Sequence, residues 1–366
     1  MDIRHILEEA VRQNASDVHL SAGRPVTFRV NGKLIALDTT PLTPKDTEEL
    51  IKSIASEQQR AQIDRVGGVD FGLKLGEGQR FRASCLKQKG TYGIVIRLLP
   101  KKFFTFEEIG LPDKVVALLH RPRGLILVTG PTGSGKTTTL ASMVNHINET
   151  RTDAHIITIE DPIEYYHDHK KAIVTQREVG IDVSSFSEAV IKGLRQDPDV
   201  ILIGEMRDLT TMEAAITAAE TGHLVLATLH TTGAVRTVDR IIDVFPSHQQ
   251  AQIRVQLASS IIAVISQVLI PRMDKPGRIG AFEFMISTPA ISNLIREGKT
   301  HQITSELQTG SKHGSRTLDS HLIELYSKGI ISYEDALAKA YDPAQFAIQA
   351  SQSDLHGKGH AVSAKR

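Results

Sequence analysis

Four short apolar runs limit what the second half of this chain can become: LILVTG at 125–130, HIITIE at 155–160, VILIGE at 200–205 and LVLATLH at 224–230. Each is strand-length and apolar on both faces of a pleat, and stretches of helical periodicity separate them. Strands hidden on both faces belong to parallel sheets covered by helices, so the alternation predicts an α/β fold. In such sheets ligands collect at the carboxyl ends of the strands. Gly130, Glu160, Glu205 and His230 close the four runs and are expected along one edge.

The first run leads into GPTGSGKT: Gly130, Pro131, Thr132, Gly133, Ser134, Gly135, Lys136 and Thr137, followed by Thr138 and a helical pattern to about Asn148. The order strand, Gly-rich loop with Lys-Thr, helix is that of a phosphate-binding loop. Glycines let backbone amides close around phosphate oxygens, Lys136 brings a positive charge to the β and γ phosphates, and Thr137 offers a hydroxyl to magnesium. The helix points its positive end at the anion. ATP with Mg2+ is the expected ligand.

TIEDPIE, at 158–164, puts Glu160, Asp161 and Glu164 just after the second run, with Pro162 blocking an immediate helix. Carboxylates beside a triphosphate either polarise the attacking water or hold magnesium through its water shell. The third run ends in Gly204-Glu205 where many such proteins carry an aspartate. Glutamate is one methylene longer and starts one residue later, and Gly204 permits close approach. Glu205 is therefore read as part of a rebuilt magnesium site, and spacing alone leaves open which carboxylate is the base. His230 is either a γ-phosphate sensor or a structural hydrogen-bonding residue, and His223 a backbone-bonded one. His167 and His169 are expected at the surface.

Before residue 98 the pattern differs. A helical face at Ile3, Ile6, Leu7, Ala10 and Val11 precedes alternating segments, VTFRVNGKLIAL, FGLKL, RFRASCL and YGIVIRLL, with turns at Asn31-Gly32, Gly76-Glu77-Gly78 and Lys89-Gly90. This predicts an antiparallel sheet with helices over 1–99. Arg80 and Arg82 share one strand face and Arg97 ends the next strand; Arg195, Arg207, Arg236 and Arg240 are further candidates for neutralising phosphate charge. Residues 100–112 read as a linker and hinge. From 286 the pattern is helical, and 347–366, polar and rich in Ser, Gly and Lys, is expected to be disordered.

With 43 basic and 42 acidic side chains, no Trp and 5% aromatic residues, a broad nucleic-acid face is not expected. Cys85 is the single cysteine, which excludes a four-cysteine zinc site. The N-terminus lacks an apolar signal core, and the densest apolar stretch, near 255–270, is interrupted by Gln256, Ser259, Ser260, Ser266 and Gln267. A cytoplasmic protein with no direct transmembrane segment is the reading.

GPTGSGKT, TIEDPIEYY, DPDVILIGEMRD and TGHLVLATLHT, in this order, resemble the Walker A, Asp box, atypical Walker B and His box of the secretion-superfamily ATPases. The likeness runs from the first residues to about 345, and PAISNLIREGK followed by QTGSKHGSRTLD resembles the branch that retracts type IV pili. The resemblance implies a RecA-like ATPase core over 113–346, ending in a helical portion, after a smaller α+β PAS-like domain. It implies a homohexamer at the cytoplasmic face of the inner membrane, acting with the pilus machinery on its platform protein. By match, Glu164 activates water, Glu205 serves the magnesium site, Arg82, Arg97 and Arg240 stabilise phosphate charge, and Thr221 and His230 help lock neighbouring subunits. Chain length and the lone cysteine separate it from the extension and type II secretion branches, which remain the alternatives together with a non-motor accessory hexamer. Ser292 stands where the retraction motif usually has its first arginine. Ile291, Leu294 and Ile295 of that segment are expected to pack as one face of an amphipathic helix.

Overall fold

The computed structural model describes residues 2–30, 32–76 and 79–352. Asn31, Glu77 and Gly78, expected at turns, and the tail from 353 lie outside the described residues. The chain forms two units: Met1–Lys102 together with Pro162–Tyr166, and Phe103–Asp161 together with the chain from His167 onward.

In the first unit, β1 (Asp17–Ser21), β2 (Thr27–Val30), β3 (Lys33–Ala36), β4 (Gly68–Leu75), β5 (Gln79–Gln88) and β6 (Thr91–Leu98) make an antiparallel sheet in the order β3-β2-β1-β6-β5-β4. Helices α1 (Ile3–Arg12), α2 (Pro44–Ile54) and α3 (Glu57–Val66) accompany it, the last two each opened by a capping box. Period-2 alternation decides the faces. Phe81, Ala83 and Cys85 turn inward to pack with Phe28, Ile94, Ile96, Leu7 and Ile51, while Arg80 and Arg82 turn to the other face. Burial pushes the Cys85 thiol up to about 12, so it is a packed side chain and not a nucleophile. On the polar face Arg29, Asp17, Arg97 and Arg82 stand in one register row. Asp17 receives Arg97 Nε at 2.9 Å, and Arg82 donates to Asp70 Oδ2 at 3.1 Å. The Arg80 guanidinium lies 3.3 Å from the ring centre of Tyr166, which draws the Pro162–Tyr166 segment onto this unit.

The second unit holds the predicted parallel sheet, with more strands than its four obvious runs. Strands β7 (Gly124–Thr129), β8 (His155–Glu160), β9 (Ile173–Glu178), β10 (Val200–Ile203), β11 (Leu224–Leu229), β12 (Ile261–Pro271) and β13 (Arg278–Ile286) lie in the order β13-β12-β7-β11-β10-β8-β9. All neighbours are parallel except β12 and β13. The short helices α4 (Phe106–Ile109) and α5 (Asp113–Val116) come first, then α6 (Lys136–Thr150), α7 (Phe186–Gly193), α8 (Leu209–Glu220), α9 (Ala234–Val244) and α10 (Ser247–Ser260). Alternate strand residues serve opposite layers. Ile126, Val128, Leu224 and Leu226 pack with Leu140, Val144 and Ile147 of α6. Leu125, Leu127, Ile201, Ile203 and Val225 pack with α7 to α10.

The chain leaves β7 toward β8 on one side and later returns through β12 on the other. The loop after β7 therefore lies at the switch point of the sheet, where a crevice opens at the strand ends.

Helices α11 (Pro289–Arg296), α12 (Ile303–Thr309), α13 (Leu318–Ser327) and α14 (Tyr333–Leu337) follow the sheet. As expected, α11 buries Ile291 and Ile295, with Leu294 packed beside them; Ser292 Oγ lies 3.1 Å from Ser287 Oγ.

Three expectations are corrected. Residues 347–352 are not disordered: a helix over 343–352 buries Phe346 and Ala350 against Leu318, Leu322 and Ile331. The stretch 100–112 is not all linker, because Thr105 and Glu108 cap α4 and its Phe106 and Ile109 pack on the second unit's core. His167 is not a plain surface residue; it stacks on Phe103 with ring centres 4.7 Å apart, and burial pushes it down to about 4. His169 is exposed, yet its Nδ1 accepts the Val174 N–H at 3.0 Å. Among the described residues, no helix is long and apolar enough to cross a membrane.

Candidate nucleotide site

Gly130, His230, Glu205 and Glu160 stand at or just past the carboxyl ends of β7, β11, β10 and β8, four consecutive neighbours in the sheet. Gly130 has φ +141°, and a Cβ there would fall 2.2 Å from the Gln267 carbonyl oxygen, so no other residue fits. Pro131, Thr132 and Gly133 are exposed, Ser134 is buried, and Thr137 and Thr138 are half-buried. Gly135, at φ +90°, opens α6 without any side-chain cap, and the first turn carries no acidic residue. The hydroxyls of Ser134 and Thr129 are buried with no partner.

An uncapped 15-residue helix, a glycine cradle and an orphaned buried hydroxyl fit an anion with several acceptor oxygens. Lys136 Nζ donates to the carbonyls of Gly130 at 2.8 Å and Pro131 at 3.1 Å. Burial lowers its pKa, and the negative charge of Glu205 opposes that shift.

Glu205 is gripped from two sides. Arg207 Nε lies 2.6 Å from Oε1, Arg207 Nη2 donates to Oε2 at 2.7 Å, and His230 Nε2 lies 3.1 Å from Oε1. Burial pushes its carboxyl up, but Arg207 and His230 more than offset this and hold it below the usual range. Asp161 is near enough to contribute to the raised pKa of Arg207. Gly204 does permit a close approach, but to β8: a Cβ there would meet the Ile159 carbonyl at 3.2 Å and Glu160 Cα at 3.3 Å. Glu160 is buried and receives the Thr158 hydroxyl at 2.7 Å and the Gln176 amide at 3.2 Å. Among the described residues no group of three or more His, Cys, Asp or Glu is placed to hold a metal ion. A magnesium ion at Thr137 and Glu205 would therefore take most of its ligands from phosphate and water.

Glu164, Arg82 and Arg97 lie in the first unit. Arg240 is exposed on α9, Thr221 caps α8 with its hydroxyl on the Thr217 carbonyl at 2.8 Å, and His223 Nδ1 sits 3.0 Å from the Ala218 carbonyl. Gln267 escaped the sequence reading. Its Nε2 donates to the Ser134 carbonyl at 2.7 Å and its Oε1 accepts the Thr139 hydroxyl at 2.9 Å, bracing the loop from β12. A lone Gln inside an apolar strand was the available signal, since a buried amide needs partners.

A phosphate-binding loop at the switch strand, flanked by carboxylates on neighbouring strand tips, defines a P-loop nucleotide-binding protein of the α/β class. The chain belongs to the type II/IV secretion system protein family, whose model matches residues 1–338. It is similar to the type IV pilus retraction ATPase PilT of Pseudomonas aeruginosa, at 48% identity over 94% of this chain and 100% of that one. A twitching motility protein of Neisseria gonorrhoeae is 45% identical over 86% of this chain and 83% of that one. Among solved structures, the pilus retraction motor PilT with bound ADP superimposes with a TM-score of 0.89 at 48% identity, covering 94% of this chain and 98% of that one.

Proposed function

We propose that this chain is an ATP-hydrolysing motor that powers type IV pilus retraction and, through it, twitching motility. The observation that carries the proposal is a likeness to PilT that spans both chains almost end to end. The loop geometry supports the chemistry. Amides of Gly133 to Thr137 and the Lys136 ammonium take the phosphates, and Thr137, with Glu205 through water, would hold magnesium. When bound, that ion neutralises charge on the β and γ phosphates. Glu164 orients and deprotonates the attacking water. His230 and Arg207 keep Glu205 ionised and aimed, and Arg82, Arg97 and Arg240 add positive charge as the γ-phosphate departs.

The working form is a homohexamer, with Thr221 and His230 at its subunit contacts. It sits peripherally at the cytoplasmic face of the inner membrane and acts on the platform protein at the pilus base. Rotation about the residues before Thr105 converts turnover into movement. Deleting the gene and scoring both surface pili and movement tests the proposal. Abundant, immobile pili are expected; bald cells would mark an extension motor instead.

A further inference from the structure

We infer that Glu283 is a positioning residue that fixes the backbone just after His230 and thereby holds His230 against Glu205. The inference rests on His230 belonging to the nucleotide site. Nothing in the sequence motifs points to Glu283, which lies in the middle of the edge strand β13, 5% exposed.

Its Oε1 accepts the Ala234 N–H at 2.7 Å, and its carboxyl also accepts the N–H of Leu318. Those two amides open α9 and α13, so one carboxyl serves two helix N-termini. Ser266, the register partner of Glu283 on β12, accepts the Gly233 N–H at 2.9 Å. Helix α9 has no side-chain cap of its own at Gly233. Its first two amides therefore depend on this strand pair. The Tyr341 hydroxyl, also bonded to Ser266, closes the cluster; a Cβ on Gly233 would meet it at 3.3 Å and Glu283 Oε1 at 3.5 Å.

Between this anchor and His230 only Thr231, Thr232 and Gly233 intervene. That bridge is tied too: the Thr231 and Thr237 hydroxyls lie 2.7 Å apart, and Thr237 Oγ1 donates to the Gly233 carbonyl at 2.7 Å. Consecutive residues of β12 thus brace the two halves of the site. Gln267 holds the phosphate loop on one face, and Ser266 with Glu283 holds the turn after β11 on the other. Burial raises the Glu283 pKa; the Ala234 and Leu318 amides oppose the shift without cancelling it, and the charge of Asp319 adds to it.

The test uses the full chain in its assembled form. Glu283→Ala removes both acceptors, and Ser266→Ala is a smaller deletion that keeps the fold if the first does not. Turnover is measured with kcat and KM separated, singly and combined with His230→Ala, and backbone hydrogen exchange is followed by mass spectrometry. Each anchor variant is expected to lower kcat about tenfold with KM changed less than about twofold. Exchange should speed up at 231–236 while the β7 and β10 peptides stay protected. On the His230→Ala background either anchor variant should cost little more. Unchanged exchange at 231–236, or a loss that multiplies fully with that of His230→Ala, overturns the positioning role. Full turnover by His230→Ala alone instead removes His230 from the site, and exchange at 231–236 then decides whether Glu283 fixes the turn.

Discussion

Replacing Gln267 with leucine probes how the phosphate loop is held. Leucine fills nearly the same space, so the cavity cost is small. Two buried partners lose their bonds: the Ser134 carbonyl at 2.7 Å and the Thr139 hydroxyl at 2.9 Å. Stranding a buried polar group costs about 1–3 kcal/mol. Thr139 can turn its hydroxyl to the Gly135 carbonyl one helical turn back, which already accepts its N–H at 3.0 Å, so most of its share is recovered. In the nucleotide-free loop the Ser134 carbonyl can shift toward water, but closing the loop on phosphate strands it again, leaving about 2 kcal/mol against the bound arrangement.

At about 1.4 kcal/mol per decade, that is roughly a thirtyfold weaker affinity for ADP. Titration calorimetry with Mg-ADP measures it, and thermal unfolding sets the stability loss alongside. The melting temperature should fall by no more than about 8 °C, because a perturbation confined to the loop is diluted over a domain of this size. Unchanged ADP affinity together with an unchanged melting temperature would refute the bracing role of Gln267.

Other outcomes are equally specific. Glu164→Gln should retain ATP binding and slow hydrolysis on the order of a hundredfold, read by single-turnover kinetics; near-normal turnover removes Glu164 as the base. Lys136→Ala should abolish nucleotide binding in the same titration, because the ammonium is the loop's one charged contact to the phosphates. Gly130→Ala should do likewise and also lower the melting temperature, since its Cβ would collide with the Gln267 carbonyl.

Acid should destabilise the second unit through two buried histidines. His321, whose Nδ1 accepts the Phe282 N–H, and the stacked His167 are both pushed down to about 4, chiefly by burial. Their stabilising contribution is whole above the unfolded value of about 6.5 and is lost as pH falls toward 4, up to about 3 kcal/mol each. Urea midpoints between pH 7 and 5 should fall, and His321→Asn, which keeps an acceptor without a proton site, should flatten the slope; an unaltered slope counts against it.

The sequence by itself determined what depends on local chemistry. Apolar runs without a polar face have to become central strands, and GPTGSGKT has to turn tightly between strand and helix, because only glycine accepts backbone such as that at Gly130. RFRASCL declared its two faces through its alternation. The motif order was enough to indicate the family. Strand order was another matter: β8 follows β7 in the chain but lies three places away in the sheet, with β11 and β10 between them. The apolar stretch at 255–270 hid a helix running straight into β12, because periodicity carries no boundary where both elements are buried.

The braces of the site were equally invisible. Gln267 reaches the phosphate loop across 133 residues of chain, and Glu283 reaches Ala234 across 49. A buried polar side chain announces that it needs a partner. Which partner it finds is settled only when distant strands pair in register, since register sets the face and the depth at which each side chain arrives.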